Sequence, residues 1–367
     1  MGPRKVLFLM VSVTFSVVVF WACQSSPSSS EELVPIGETV EIVAPLGLPP
    51  VPVAFDNMPT LDSIALGRKL YYDPILSVDN TIACASCHSP DFGFSDGKPV
   101  SEGVDGQKGG RNAPTVFNAA YYTTQFWDGR SPNLEDQAHG PVQNPIEMAH
   151  TLEGQQQTLE TIEKRLATHV EYQAAFEKAF GPGPITYAKV AKAIASFERT
   201  IISGNSPFDR YFYGGDKTAL SKEAERGLDI FRDPDKGNCA ACHTIGLFTN
   251  SSFHNIGVGV NEEGELIDLG RFVVTQQDRD RGAFKTPSLR NIALTAPYMH
   301  DGSLKTLQEV VDFYVGGGNS NPHLDPQLKE LTPISKTGRR NWSRADLVAF
   351  LEALTGEMPS DVGPPES

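Results

Sequence analysis

The sequence predicts a mostly α-helical protein of two domains, and three observations lead to that prediction. The chain has 367 residues, a length typical of two domains or of one large domain. Amphipathic stretches with apolar residues at helical spacing recur in both halves. Two identical short motifs of two cysteines and a histidine lie one in each half. The 33 glycines and 27 prolines slightly exceed average usage, which predicts long loops between the helices.

Composition excludes several classes of protein. A chain with 40% hydrophobic and 21% charged residues is globular, and is not a disordered, collagen-like or multi-span membrane protein. The net charge of −14, with no basic block, excludes nucleic acid as a partner because phosphate repels an acidic surface. The same charge favours a basic partner.

The amino terminus has the pattern of an export signal. Arg4 and Lys5 precede an apolar stretch over 6–22, which has the length of a signal sequence and is short for a membrane span. Cys23 follows, as in a bacterial lipoprotein signal whose cysteine is lipidated. An ordinary signal peptide cut a few residues later is the alternative. We expect residues 1–23 to direct the protein to the periplasm, where a lipidated Cys23 would anchor it to a membrane surface.

The first domain follows a linker. Residues 24–55 lack helical periodicity and predict a flexible tether. An N-terminal cytochrome-sized domain is expected over 56–212, with helices at 158–179 and 187–202.

The second domain begins after a glycine and a proline that break the chain, which places the boundary near 205–220. It is expected over 213–358, with a first helix at 221–231 and a last helix at 343–354, capped by its initial serine. Residues 359–367 form a tail.

Four of the five cysteines fall into two CxxCH motifs. They are Cys84-Ala85-Ser86-Cys87-His88 and Cys239-Ala240-Ala241-Cys242-His243. CxxCH is the attachment pattern of c-type haem, because two thiols one helical turn apart can each add to a vinyl group. The following imidazole then lies under the iron as an axial ligand. The motifs therefore predict two c-type cytochrome domains, each around one covalently bound haem, with His88 and His243 as iron ligands.

A structural disulfide and a zinc site are the alternatives for these cysteines. A CxxC pair in an exported protein can oxidise, whereas zinc usually takes separated cysteine and histidine pairs. Export favours haem, since c-type haem is attached outside the cytoplasm.

Longer blocks around both motifs resemble the di-haem bacterial cytochrome c peroxidase family, which includes MauG and MbnH. The first domain contributes LGRKLYYDPILS, GQKGGRNAPTVFNAAYYTTQFWDGR and EDQAHGPVQNPIEM, and the second contributes GAFKTPSLRNIALTAPYMHDGSLKTLQEVV. The resemblance covers roughly residues 55–355. It implies reductive cleavage of hydrogen peroxide at the N-terminal haem, with the C-terminal haem as electron relay.

Site residues follow from the resemblance one at a time. Trp127 matches the family tryptophan between the haems, where an indole can relay electrons or holes. Glu147 matches the acid/base residue over the peroxide, because O–O cleavage needs a proton moved between the two oxygens. Gln137 and Pro141 match residues that line the same pocket. Without the resemblance, a core tryptophan and an exposed glutamate are the ordinary interpretations.

The family also implies a Ca²⁺ ion between the haems. The matching positions are the side chain of Asn112 and the backbone carbonyls of Thr295 and Pro297. All three are oxygen ligands, as a hard cation requires.

Two departures from the electron-accepting peroxidases point to the MauG/MbnH-like branch. Val104 stands where a distal histidine would be, so we expect a five-coordinate first haem that is open to peroxide. Tyr314 stands where a methionine would ligate the second iron, and Met299 is the rival ligand. His254 and His300 are less favoured, and we expect both to be hydrogen-bonding structural residues. A phenolate favours ferric and higher states, so a His/Tyr haem suits the sharing of an oxidising equivalent.

The leading hypothesis is therefore a MauG/MbnH-like peroxidase that oxidises a partner protein. The alternative is a peroxidase that detoxifies peroxide with electrons from a small cytochrome c or cupredoxin. A third possibility is a non-catalytic di-haem electron carrier. Dimerisation is common in the family, and a homodimer is a further expectation from the resemblance.

Overall fold

A computed structural model of the protein describes residue 2, residues 34–328 and residues 343–366. The predicted signal sequence, apart from residue 2, and Cys23 lie outside the described residues. The described part is mostly helical, as the sequence predicts. None of its helices is both long and apolar enough to cross a membrane.

The α-helices of the described part are, in chain order, α1 (Leu61–Tyr72), α2 (Cys84–Cys87), α3 (Leu134–Gln137), α4 (His139–Gln143), α5 (Leu159–Ala167), α6 (Val170–Phe180), α7 (Tyr187–Glu198), α8 (Pro207–Phe212), α9 (Lys222–Arg232), α10 (Phe272–Thr275), α11 (Leu307–Val315) and α12 (Arg344–Glu352). Shorter 3₁₀ turns lie at Pro74–Leu76, Pro90–Phe92, Val104–Gly106, Ala119–Tyr121, Cys239–Ala241, Asp278–Asp280 and Ile292–Leu294, and a π-helical turn at Pro145–Ala149. Strands β1 (Phe253–His254) and β2 (Phe284–Lys285) form one short antiparallel pair.

Helix boundaries agree with the sequence where a cap is present. The helix expected at 221–231 is α9, and the one expected at 343–354 is α12, which Ser343 caps by accepting from the amide of Asp346. The single helix expected at 158–179 is instead α5 and α6, separated at Thr168 and His169.

Each half is built on the same contact between its first and last long helices. In the first half α1 packs on α7, and a Cβ added at Gly67 would lie 1.9 Å from the carbonyl oxygen of Ala193. In the second half α9 packs on α12, and a Cβ at Gly227 would lie 2.0 Å from the carbonyl oxygen of Asp346. In each half, a glycine therefore allows the first and last long helices to cross at close range.

Two loops also repeat one backbone course, which the sequence analysis missed. Segments 113–131 and 286–304 each contain an asparagine that precedes a 3₁₀ turn and has a left-handed backbone conformation. Eight residues later, each segment has a second residue in the left-handed conformation. These residues are Asn118 and Asn291, each with φ of 60°, and Phe126 and Met299, with φ of 65° and 74°. Trp127 and His300, which follow the second pair, therefore occupy equivalent places in the two halves.

A buried ion pair joins α8 to the second of these loops. Both Arg290 Nη atoms donate to the carboxylate of Asp209, at 2.8 and 2.9 Å, and the two side chains are 1% and 0% exposed. Arg290 also donates to the backbone oxygens of Gly246 and Gly47. Four hydrogen bonds thus converge on one guanidinium.

The described part of the predicted tether is packed on both halves and is not free, contrary to the expectation for 24–55. In the first half, the carbonyl oxygen of Ala179 on α6 accepts from the amide of Ile36, and in the second half Arg290 donates to the carbonyl oxygen of Gly47. The predicted tail is packed in the same way, since Tyr72 donates to the carbonyl oxygen of Val362, which is 3% exposed. Chain ends that cross between halves restrain their relative position.

Candidate active site

Both CxxCH motifs form the same tight turn. The amide of His88 donates to the carbonyl oxygen of Cys84, and the amide of His243 donates to that of Cys239. All four thiols are free, so neither pair is a disulfide. Among the described residues, no group of three or more His, Cys, Asp or Glu side chains is arranged to hold a metal ion.

The two histidines are oriented as metal ligands. Nδ1 of His88 lies 3.2 Å from the carbonyl oxygen of Phe94, and Nδ1 of His243 lies 3.0 Å from that of Phe248. A carbonyl requires a proton on Nδ1, which leaves the Nε2 lone pair free for iron. Burial lowers the pKa of His88, and lowers that of His243 to about 4. Both imidazoles are therefore neutral, as coordination requires.

A cavity of about 410 Å³ opens over the second motif. Its walls include Cys239, Cys242 and His243, and apolar side chains such as Phe231 and Leu347. Thiols, an imidazole and an apolar wall fit a covalently attached haem, whose porphyrin is mostly apolar and whose iron needs an axial nitrogen. The residues present therefore suit the group that the motif implies.

Both candidate sixth ligands reach this cavity. Tyr314 lies on α11, which begins with the capping box of Thr306 and Glu309, and its hydroxyl makes no hydrogen bond to a described residue. Burial, together with the nearby thiols, raises the pKa of Tyr314. Met299 lines the same cavity from the loop. Lining alone does not separate the two residues, so both stay candidates.

Glu147 lies in the π-helical turn of the first half, close to the first motif. Asn144 donates to Oε1 of Glu147 at 2.6 Å. Burial raises the pKa of Glu147, while the charge of Arg130 and the Asn144 hydrogen bond act in the opposite direction. Burial raises the pKa of the Cys87 thiol to about 11, and the nearby charge of Glu147 adds to this shift. A carboxyl that holds a proton more readily than usual thus lies beside the first attachment site.

Val104 belongs to the turn that packs against Glu147. It is fully buried, and its neighbour Gly103 is so close to the π-helical turn that a Cβ there would lie 2.0 Å from the carbonyl oxygen of Ile146. An aliphatic side chain cannot ligate iron, so this buried position supplies no sixth ligand.

The other two pocket candidates lie on neighbouring short helices. Gln137 ends α3, and its side chain makes no hydrogen bond to a described residue. Pro141 lies in α4, which the side chain of Gln157 ties to the π-helical turn by donating to the carbonyl oxygens of Val142 and Met148. The structure therefore brings α4 to the Glu147 turn.

Trp127 and the three predicted calcium ligands line the same cavity as the second motif. The indole Nε1 of Trp127 donates to the carbonyl oxygen of Asn112 at 2.9 Å, and the amide of Asn112 donates to that of His300 at 2.7 Å. Asn112 Nδ2 donates to the carbonyl oxygen of Lys98, which leaves Oδ1 for a cation. Thr295 and Pro297 lie on the same wall.

Several side chains of the site were missed by sequence reasoning. Asn144 precedes a proline and caps the π-helical turn, a signal that could have marked it. Arg130 and Lys285 carry no such local signal. His254 and His300, the lesser candidates for the sixth ligand, make structural contacts: Nδ1 of His254 lies 2.7 Å from the carboxylate of Asp325, and the His300 ring stacks on Phe284 with centroids 3.6 Å apart.

Two haem-attachment turns, each followed by an imidazole prepared for iron, define the class of the c-type cytochromes. Comparison with known proteins then gives the family. A family model described as di-haem cytochrome c peroxidase matches residues 62–218. The methylamine utilization protein MauG of Methylorubrum extorquens is 39% identical over 308 residues, which are 84% of this chain and 82% of that protein.

Peroxidases and solved structures match equally broadly. Cytochrome c551 peroxidase of Pseudomonas aeruginosa is 37% identical over 299 residues, 80% of this chain and 79% of that protein. The crystal structure of a MauG-like protein associated with microbial copper homeostasis has a TM-score of 0.74 and 35% identity, and covers 85% of this chain and 95% of its own. The chain belongs to the di-haem cytochrome c peroxidase family, and it is an oxidoreductase of the haem peroxidase type.

Proposed function

We propose that this protein is a periplasmic, MauG/MbnH-like peroxidase that reduces hydrogen peroxide at its N-terminal haem and oxidises a partner protein. The observation that carries the proposal is the pair formed by Glu147 and the Val104 turn. A buried carboxyl with a raised pKa stands beside the first motif, and the adjacent buried position holds Val104, an aliphatic residue that would supply no sixth ligand to a haem iron.

Glu147 moves a proton in this proposal. Each haem, when bound, supplies an iron that accepts and passes electrons. The ionised carboxylate accepts the proton from the inner oxygen of hydrogen peroxide, and the resulting carboxylic acid donates it to the outer oxygen, which leaves as water. The Asn144 hydrogen bond at 2.6 Å holds Oε1, so Oε2 is the oxygen left to face peroxide. Complete reduction consumes two electrons and two protons per peroxide.

Trp127 connects the two halves electronically. Its indole is held by the backbone of Asn112, which in turn is bonded to that of His300. This fixed placement on the cavity wall of the second motif favours Trp127 as the relay between the haems.

The second haem takes His243 and Tyr314 as its ligands in this proposal, and Ca²⁺ binds Oδ1 of Asn112 and the carbonyl oxygens of Thr295 and Pro297. The free hydroxyl of Tyr314 and the free amide oxygen of Asn112, both on the same cavity, support these assignments. Neutral oxygen ligands fit a removable Ca²⁺ ion.

A peroxidase that takes electrons from a small cytochrome c or cupredoxin is the second candidate. Met299 on the wall of the second cavity favours it, because a methionine ligand raises the potential of a relay haem. In either case the signal pattern supports a periplasmic location and a lipidated Cys23, and the acidic chain favours a basic partner. A homodimer remains part of the proposal through the family resemblance alone.

Addition of one equivalent of peroxide to the ferric protein without reductant tests the proposal. A high-spin first haem beside a low-spin second haem, both changing together in optical and EPR spectra, is the expected result. Two low-spin haems that respond to peroxide only after one is reduced would support the second candidate. Two low-spin haems that never respond would indicate an electron carrier and overturn both enzymatic proposals.

A further inference from the structure

Lys285 is a buried amine on the wall of the second haem cavity. Its side chain belongs to β2, and the residue is 7% exposed. Nζ donates to the carbonyl oxygen of Thr124 at 2.6 Å and lies 4.0 Å from the centroid of the Tyr122 ring. Lysine is almost never buried unless its charge is paired. Among the described residues, Nζ thus contacts one carbonyl oxygen and one aromatic face, and no carboxylate.

Burial leaves this ammonium in need of a counter-charge. Burial lowers the pKa of Lys285 to about 7, and Asp128 opposes that shift only through its charge at a distance. Among the described residues, no ion pair joins Lys285 to a carboxylate. The hydroxyl of Thr124 is also buried and has no hydrogen-bond partner there. The ammonium of Lys285 therefore has N–H donors left over after its one hydrogen bond to the Thr124 carbonyl oxygen.

The other cations on the cavity wall are already paired. Lys236 lies 3.2 Å from Asp233, and its side chain is 37% exposed. Arg344 pairs with Asp312, and its side chain is 50% exposed. The carboxylate of Asp325, which also lines the cavity, is bound to His254. The cavity thus presents a buried cation at Lys285 without an anion to match it.

We propose that Nζ of Lys285 binds a propionate carboxylate of the haem attached at Cys239 and Cys242. A haem carries two propionates, and an ammonium is a strong partner for a carboxylate in a site shielded from water. The inference rests on haem binding at the second motif, which is part of the proposed function, and does not depend on the peroxide reaction.

The position of Lys285 gives the contact a functional consequence. Its backbone amide donates to the carbonyl oxygen of Trp127 at 2.8 Å. Lys285 would therefore link a haem propionate, through its side chain, to the backbone of Trp127, the proposed relay. A cation at a propionate also favours the reduced haem, because reduction removes one positive charge from the iron. Lys285 is therefore a positioning residue for the second haem and a determinant of its potential.

Potentiometric titration of the holoprotein tests the proposal. Lys285→Met is expected to lower the potential of the C-terminal haem, with a tenfold change in the reduction equilibrium corresponding to ~59 mV for one electron. Lys285→Arg keeps the charge and is expected to restore most of the potential. Lys236→Met, which removes an exposed and paired cation from the same cavity, is the matched control and should leave the potential unchanged. The double variant Cys84→Ala and Cys87→Ala lacks the first attachment site. The redox-linked spectral change that is lost in this variant therefore belongs to the N-terminal haem, and the one that stays belongs to the C-terminal haem.

Three outcomes would overturn the proposal: no shift in Lys285→Met, a shift confined to the N-terminal haem, or an equal shift of both haems. If Lys285→Met does not fold, Lys285→Gln keeps a donor for the Thr124 carbonyl and removes the charge. The propionate-bending band of the C-terminal haem in resonance Raman spectra should then differ between Lys285→Gln and the wild type, and an identical band would refute the contact. Peroxide reactivity is measured separately, so failure of the proposed function is read from different data.

Discussion

Replacement of Glu147 by glutamine tests the proposed proton transfer most directly. The amide keeps the size of the side chain and can still bond to Asn144, but it cannot accept the proton of peroxide. A positioned acid/base group contributes roughly 10²–10⁴-fold, so we expect the second-order rate with peroxide to fall by that factor, about 3–5 kcal/mol in barrier. Stopped-flow mixing of the ferric protein with peroxide measures this rate. Glu153→Gln, a change at an exposed glutamate nearby, is the matched control.

The proposed role of Glu147 also predicts how the rate with peroxide changes with pH. Burial raises the pKa of Glu147 above its usual 4.5, so the ionised base is lost as the pH falls through that raised value. The rate should therefore decrease on the acid side at a higher pH than an ordinary glutamate would give. Arg130 and Asn144 both lower this pKa, so Arg130→Gln and Asn144→Ala should each move the acid limb to higher pH.

Two results would refute this reasoning. One is an acid limb that persists unchanged in Glu147→Gln, because the titrating group would then be another residue. The other is a loss of rate below tenfold in a variant with both haems attached, which would assign the proton transfer elsewhere.

The remaining predictions concern the second haem, stability and the peroxide pocket. Tyr314→Met should raise the potential of the C-terminal haem in a redox titration, whereas Met299→Leu should leave it unchanged. A potential that falls in Met299→Leu and stays unchanged in Tyr314→Met would identify methionine as the ligand. Asp209→Asn leaves a fully buried guanidinium without its partner and should lower the free energy of unfolding in urea by about 3–5 kcal/mol, while Lys164→Met, at an exposed ion pair, should leave the midpoint unchanged. Gly103→Val should slow the peroxide reaction by displacing the adjacent turn without altering the spectrum of the second haem, and an unchanged rate would contradict the close contact.

Local sequence was sufficient where the chemistry itself is local. Two cysteines and a histidine within five residues form the attachment turn by themselves, so the sequence alone identifies Cys84, Cys87 and His88 and their counterparts in the second half. Helices with a serine or threonine cap, such as the one after Ser343, were also predictable, because the cap and the helix are adjacent in the chain.

Local sequence patterns do not predict contacts between segments that are distant in the chain. The packing of residues 36–49 on both halves depends on partners far along the chain, such as Ala179 for Ile36 and Arg290 for Gly47. The local sequence, which lacks periodicity, therefore predicts only a tether. The repeated loop course of 113–131 and 286–304 is carried by backbone angles, and few side chains are shared between the two segments.

Sequence by itself predicted which residues would attach two haems, and the family resemblance pointed to Glu147, Trp127 and Tyr314. Tertiary structure decided the environment of these groups: the burial and the Asn144 bond that set the proton affinity of Glu147, the shared cavity of Tyr314 and Met299, and the unpaired charge of Lys285. The physical reason is that attachment is a covalent property of neighbouring residues, whereas burial and charge pairing depend on which distant segments exclude water from a side chain.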